Sequence, residues 1–263
     1  MHEQQNAQTK TYQETLQTEL KKLGENTKTI KMLTGSDQNI SVQTKPNTFV
    51  TYPVRSCRQA PYGSGIYLLK IRVKSIPFEV LCEQNTNFGG GWIVIQHRFN
   101  GSVDFYRNWT EYRDGFGTMD GEFWLGLEHI HQITKNRPHE LLIEIKDFYG
   151  NNGSYSYSVF EIGSQYEHFM LKKLDLTRGE LDSMYENKGK KFSTFDRDYD
   201  EWTDGSDAQY YHGAWWYGYS TSSNLNGHYQ NTAKSEGAMY WHYFKNDTRG
   251  LSYSRMMIRD ISN

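Results

Sequence analysis

The chain has 263 residues, enough for one large domain or two small ones. Its 29 Lys and Arg against 31 Asp and Glu leave a net charge of -2, so bulk electrostatics recommend neither nucleic acid nor an anionic membrane as partner. No apolar run is long enough to span a bilayer, and the opening MHEQQNAQTK has no apolar leader stretch, so a soluble chain without a leader is expected.

Aromatics make up 15% of the chain, with 20 Tyr and 7 Trp, so large rings with polar tips are expected to do much of the packing. Residues 1–34 are polar and helix-compatible. Leu16, Leu23 and Ile30 recur every seven residues, with Tyr12 and Leu33 on the partner seam, but Glu19, Asn26 and Gly24 weaken the pattern. This reads as a short coiled coil able to join two or three chains, or as a single frayed helix or disordered tail. Residues 35–48 read as a linker and residues 49–263 as the main domain.

Within that domain GIYLLKIRV and PFEVLCE alternate apolar and polar residues and read as strands, and GGGWIVIQHRF as a buried strand led by glycines. GEFWLGLEHIHQIT reads as helical. HELLIEIKDFYG and SYSYSVFEIG read as antiparallel strands joined by a turn at NNGS. From Lys188 onward Gly, Asn, Ser, Asp and aromatics predominate, which predicts a loop-rich final third where binding residues tend to lie.

Cys57 and Cys82 are too few for a thiolate metal site and are either free thiols or one bridge. Asn39, Asn100, Asn108, Asn152 and Asn246 each begin an N-x-S/T triplet, in keeping with a secreted, glycosylated chain. No nucleophile elbow, zinc helix or phosphate loop occurs, and no nucleophile, base and oxyanion hole can be assembled, so an enzyme is not expected. His129 and His131 diverge on a helix and cannot share a metal. Gly89, Gly90 and Gly91 suit a tight turn with close backbone approach. One stretch stands out: DRDYDEWTDGSD, residues 196–207, holds six carboxylates and one arginine.

SCRQAPYGSGIYLLKI, GGGWIVIQHRFNGSVDFYRNWTEYRDGFG, GEFWLGLEHIHQIT, GAWWYGYSTSSNLNG and the closing MMIRD, in this order, resemble the fibrinogen-related domain family of fibrinogen chains, ficolins, tachylectins, tenascins and angiopoietins. The resemblance covers about residues 54–260. It implies an α+β domain in three parts: a small disulfide-tied N-terminal part, a central twisted antiparallel sheet with helices, and a loop-rich C-terminal part holding calcium and ligand. Cys57 and Cys82 match the family's first disulfide. The second pair is absent, with Asp207 and Ser220 at those positions, and the cis peptide bond some lectin members carry there would be Tyr219–Ser220.

By the same resemblance, the DRDYD segment stands at the family's calcium loop. Asp198 and Asp200 would supply carboxylate oxygens and Trp202 and Asp204 main-chain carbonyls, a donor set suited to Ca2+. Tyr199 replaces the usual Asn, and one residue is inserted before Asp207. An acetyl-binding pocket would fall at Tyr211, Tyr219, Ser220, Thr221, Met239, Tyr240 and Tyr253. Trp215, Trp216, Asn224, Asn226 and Gly227 read as architectural. The function expected is that of a secreted, extracellular innate-immune lectin binding acetylated or glycosylated cell or microbial surfaces beside calcium. The alternative is a protein–protein module, a receptor ligand or matrix factor of the angiopoietin or tenascin kind. Multivalency through the N-terminal helix would strengthen weak single-site binding of sugars.

Overall fold

The computed structural model describes residues 53–179 and 181–261. The expected coiled coil, the linker and the sequon at Asn39 lie outside them. The chain first lays down a hairpin, β1 (Gly65–Leu69) and β2 (Phe78–Glu83), then the buried strand β3 (Trp92–Arg98). After helix α1 (Trp109–Asp114) come two short strands, β4 (Phe116–Gly117) and β5 (Phe123–Trp124), and helix α2 (Leu127–Thr134). Three longer strands follow: β6 (His139–Asp147), β7 (Asn152–Ile162) and β8 (Leu171–Arg178). The remainder holds helices α3 (Asp207–Tyr210) and α4 (His242–Lys245) and strands β9 (Ser223–Asn224), β10 (Tyr240–Trp241) and β11 (Leu251–Asp260).

The main sheet runs β1-β2-β3-β11-β6-β7-β8, with β4 and β5 attached to β3, and all its pairings are antiparallel. The last strand therefore lies in the middle of the sheet, between β3 and β6. The small N-terminal part is continuous with the sheet, since β2 pairs directly with β3. Cys57 and Cys82 form a disulfide with Cα atoms 5.4 Å apart, and both are fully buried.

Two expected elements differ. The segment expected to be wholly helical begins as strand at Phe123–Trp124, and the helix starts at Leu127 only after Gly126, whose φ of 104° an L side chain rarely adopts. The β6–β7 turn is made by residues 148–151, not NNGS: Asn152, Gly153 and Ser154 already pair with Lys146, Ile145 and Glu144. The glycine triplet behaves as expected, because a Cβ at Gly90 would sit 2.8 Å from the carbonyl oxygen of Gln84. His129 stacks on Phe78 at 4.1 Å, while His131 Nδ1 meets the Ile162 carbonyl, so the two histidines diverge.

Trp92, Trp109, Trp124, Trp215, Trp216 and Trp241 are all at most 1% exposed, and ring pairs such as Trp124–Trp216 and Tyr155–Trp241 join the sheet to the final third. Trp216 meets Trp124, Phe160 and Phe192 at 5.2–6.5 Å. Each such buried ring contributes on the order of 2 kcal/mol through the surface it removes from water. A buried polar set fixes the loops more exactly than rings can. Gln96 on β3 donates to the Leu225 carbonyl (2.9 Å) and accepts from Ser254 on β11 (2.8 Å), and Arg98 donates to the Gly227 carbonyl. These bonds bolt residues 225–227 to the sheet, and the C-terminal loops hang from that point.

Candidate functional site, an acidic loop beside a tyrosine cluster

The acidic loop opens with a tight turn in which Thr194 and Arg197 exchange main-chain hydrogen bonds of 2.9 and 3.0 Å. Asp196 is used up in holding it, accepting from Thr194 Oγ1 (2.7 Å) and from the first amide of α1 at Trp109 (2.9 Å). Glu201 pairs with Lys190. Tyr199 stacks on His168 at 4.0 Å and meets Trp109 edge-on at 5.5 Å, so its ring anchors the loop.

Asp198 Oδ1 accepts from the Asp200 amide (3.1 Å), and the two oxygens of Asp200 accept from the amides of Trp202 (2.8 Å) and Asp207 (2.7 Å). Burial, with further help from neighbouring Asp198, pushes the Asp200 carboxyl up to about 6 despite those amides. Asp207 is pushed up to about 7 by burial and then by repulsion from Asp200 and Asp198. Its Oδ2 is buried without a hydrogen-bond partner.

Crowded, partly desolvated carboxylates with an orphaned oxygen are the environment a hard cation relieves, and the all-oxygen donors suit calcium. Among the described residues no three His, Cys, Asp or Glu side chains gather as a metal cage. The two aspartates would therefore need main-chain carbonyls, such as those of Trp202 and Asp204, and water to complete the shell. Neither Asp198 nor Asp204 is buried, so water has access.

The residues expected to form the acetyl pocket divide into three groups. Tyr211, Thr221, Met239 and Tyr240 are buried. The Tyr240 hydroxyl donates to the Thr221 carbonyl (2.9 Å), and Tyr211 stacks on Tyr217 at 5.6 Å. Tyr219 and Ser220 are exposed, and the described residues contain no cis peptide bond. Tyr253 is not at this site: it pairs with Lys146 in the main sheet and meets His97 edge-on, so its expected place beside the pocket is not what the fold provides. The motif residues hold the scaffold: Asn224 Nδ2 donates to the Tyr211 carbonyl (2.8 Å) and Asn226 Nδ2 to that of Ala214 (3.0 Å).

Next to this tyrosine cluster lies an open hollow of about 610 Å³. Tyr210, His212, His228, Lys234 and Glu236 line it; the Tyr210 hydroxyl donates to Glu236 (2.8 Å), and the two histidine rings are 5.1 Å apart. Burial and the neighbouring His212 lower the pKa of His228. None of these residues was singled out in the sequence. The tyrosine pair and the Asn-Gly before His228 are the only local marks, and nothing in their spacing joins them.

Of the sequons, Asn100, Asn152 and Asn246 are exposed. Asn108 caps α1 by accepting from the Glu111 amide (3.0 Å).

Residues 55–261 match the family model for the C-terminal globular domain of fibrinogen beta and gamma chains. The chain is 36% identical over 231 residues to angiopoietin-related protein 6 of Mus musculus, covering 84% of this chain and 48% of that protein. It is 39% identical over 218 residues to human angiopoietin-1, covering 80% and 43%. Among solved structures, the fibrinogen-like globe domain of human ANGPTL2 superposes with a TM-score of 0.75 at 37% identity, over 80% of this chain and all of that one. A lamprey fibrin D-dimer complexed with the peptide Gly-His-Arg-Pro-amide superposes at 0.71 with 26% identity, over 98% and 90%. The chain belongs to the fibrinogen C-terminal domain family, a family of non-enzymatic recognition and signalling domains. It spans about half the length of the curated relatives it matches.

Proposed function

We propose that this is a secreted recognition domain whose loop-rich end binds a protein partner, as a receptor ligand or adhesion factor. The carrying observation is the packing of Tyr211, Thr221, Tyr217 and Tyr240, all buried and joined by the Tyr240–Thr221 hydrogen bond and the Tyr211–Tyr217 stack, which we read as filling the place an acetyl group would enter. Around it the surface offers what protein interfaces use: the exposed rings of Tyr210 and Tyr219 and a hollow with charges of both signs. Likeness to angiopoietin-related proteins supports the same reading, as does the peptide complexed with the lamprey fibrin D-dimer. Secretion agrees with the buried Cys57–Cys82 bridge, which belongs to an oxidising compartment. No helix among the described residues is long and apolar enough to cross a membrane.

In this reading Asp198, Asp200 and the carbonyls of Trp202 and Asp204 hold a calcium ion whose charge fixes the acidic loop and, through the Asp207 amide, the first turn of α3. Since α3 carries Tyr210, the ion would set the shape of the hollow without touching the partner. The test is a binding screen of the immobilised chain against cell-surface and secreted ectodomains in calcium. A partner is expected whose affinity falls at least tenfold on Tyr210→Ala or Glu236→Ala. Retention on acetylated-sugar resin with release by free sugar, and no ectodomain bound, would return the lectin reading.

A further inference from the structure

We infer that the β1–β2 edge of the sheet is an interface with a second copy of this chain. The loop between these strands, residues 70–77, carries Lys70 and Lys74, with Arg72 between them held by Asn136, and presents Val73 and Ile76 at 77% and 87% exposure. Among the described residues these are the two most exposed aliphatic side chains, and they sit three residues apart on one loop. Directly beside the loop is a groove of about 570 Å³ with an apolar floor that includes Ile66, Phe78 and Met119. Its rim carries the exposed acids Glu79, Asp114 and Asp120. Asp114 is already paired with Arg113, which leaves Glu79 and Asp120 to receive cations.

Loop and groove are therefore complementary in two independent respects. Bare aliphatic knobs match an apolar floor, and a basic loop matches an acidic rim. The loop runs straight into β2, whose first residues Phe78 and Glu79 line the groove, so each molecule's donor and acceptor surfaces adjoin. A two-fold axis at this edge seats each loop in its partner's groove and closes the pair, leaving nothing to polymerise. The sheet edge itself agrees. β1 is the outermost strand, and Val54 bonds it only near its end, at the Leu68 carbonyl and the Lys70 amide; among the described residues no strand pairs with the outer side of Gly65–Tyr67. Unpaired edges of this kind are natural sites of association.

Both native cysteines are bridged to each other, so introduced cysteines report proximity cleanly. In the full chain, Ile76→Cys with Met119→Cys is expected to give a disulfide-linked dimer on mild oxidation, whereas Tyr166→Cys with Met119→Cys is not, Tyr166 being 98% exposed but outside the loop. This readout is indifferent to association through residues 1–34, because the cross-link forms at the groove. Sedimentation should show association weakened at least tenfold by Val73→Asp with Ile76→Asp. Lys74→Glu and Asp120→Lys should each weaken it, and the two together should restore it. Equal cross-linking of both cysteine pairs, no change on Val73→Asp with Ile76→Asp, or a groove that takes a foreign basic peptide while the chain stays monomeric would overturn the proposal.

Discussion

The main-chain N–H of Asp207 donates to Oδ2 of Asp200 across 2.7 Å, so the start of α3 is tied to the centre of the acidic loop. This tether is a hydrogen bond to a carboxylate, so its strength depends on the carboxylate's charge.

That dependence gives a calcium response. Adding calcium should raise the melting temperature, since a ligand that binds only the folded state stabilises it by about 2.7 kcal/mol at a hundred times its dissociation constant. Asp198→Ala with Asp200→Ala should abolish the rise. Differential scanning calorimetry with and without chelator checks it; an undiminished rise in the double variant refutes the assignment.

Asp207 itself carries a buried oxygen without a partner beside two like charges. Asp207→Asn should therefore stabilise the calcium-free protein by about 1–2 kcal/mol and shrink the gain on adding calcium. Urea titrations of both proteins in chelator measure the first effect, and a destabilised variant would show that the carboxylate is needed as an acceptor.

His97 is expected to set an acid limit. Burial, and then the Arg255 charge, lowers its pKa from 6.5 to about 4, with Glu122 and Glu83 opposing and the rings of Phe99, Phe123 and Tyr253 around it. A depressed histidine means that the unfolded chain binds a proton more readily than the folded one between these values. Stability is thus full above about pH 6.5 and falls as pH drops towards 4, by no more than about 3 kcal/mol. His97→Phe should flatten this part of the stability profile; an unchanged slope would assign it elsewhere.

The Cys57–Cys82 bridge closes a span of 25 residues and joins the turn before β1 to the second strand. Replacing both cysteines by serine should lower unfolding free energy by about 3–4 kcal/mol. Guanidinium denaturation monitored by tryptophan fluorescence would read the loss. A change below about 1 kcal/mol would mean that the hairpin is held by its packing alone.

The sheet was largely legible because strand alternation is a local signal: Val80 and Cys82 are fully buried, while Glu79, Leu81 and Glu83 beside them are not. Periodicity alone could not show that Leu251–Asp260 runs through the sheet's middle between β3 and β6, because strand order is decided by pairing distant in sequence. The helix beginning was misplaced for a related reason. Phe123 and Trp124 suit either state, and their pairing with β3 decided it. In the candidate site, the acidic loop was visible as a charge run; the pocket residues came only from the resemblance, and of these Tyr240 and Thr221 meet through a hydrogen bond that no local pattern in the sequence marks. His212 and His228 come together only in the fold.

The most direct test of the central claim is calorimetric titration of the calcium-loaded protein with N-acetylglucosamine and N-acetylgalactosamine, alongside its best-binding ectodomain. The account predicts no heat of binding for either sugar, undisturbed ectodomain binding in their excess, and loss of that binding with Tyr210→Ala. Saturable sugar binding that competes with the protein partner would contradict it.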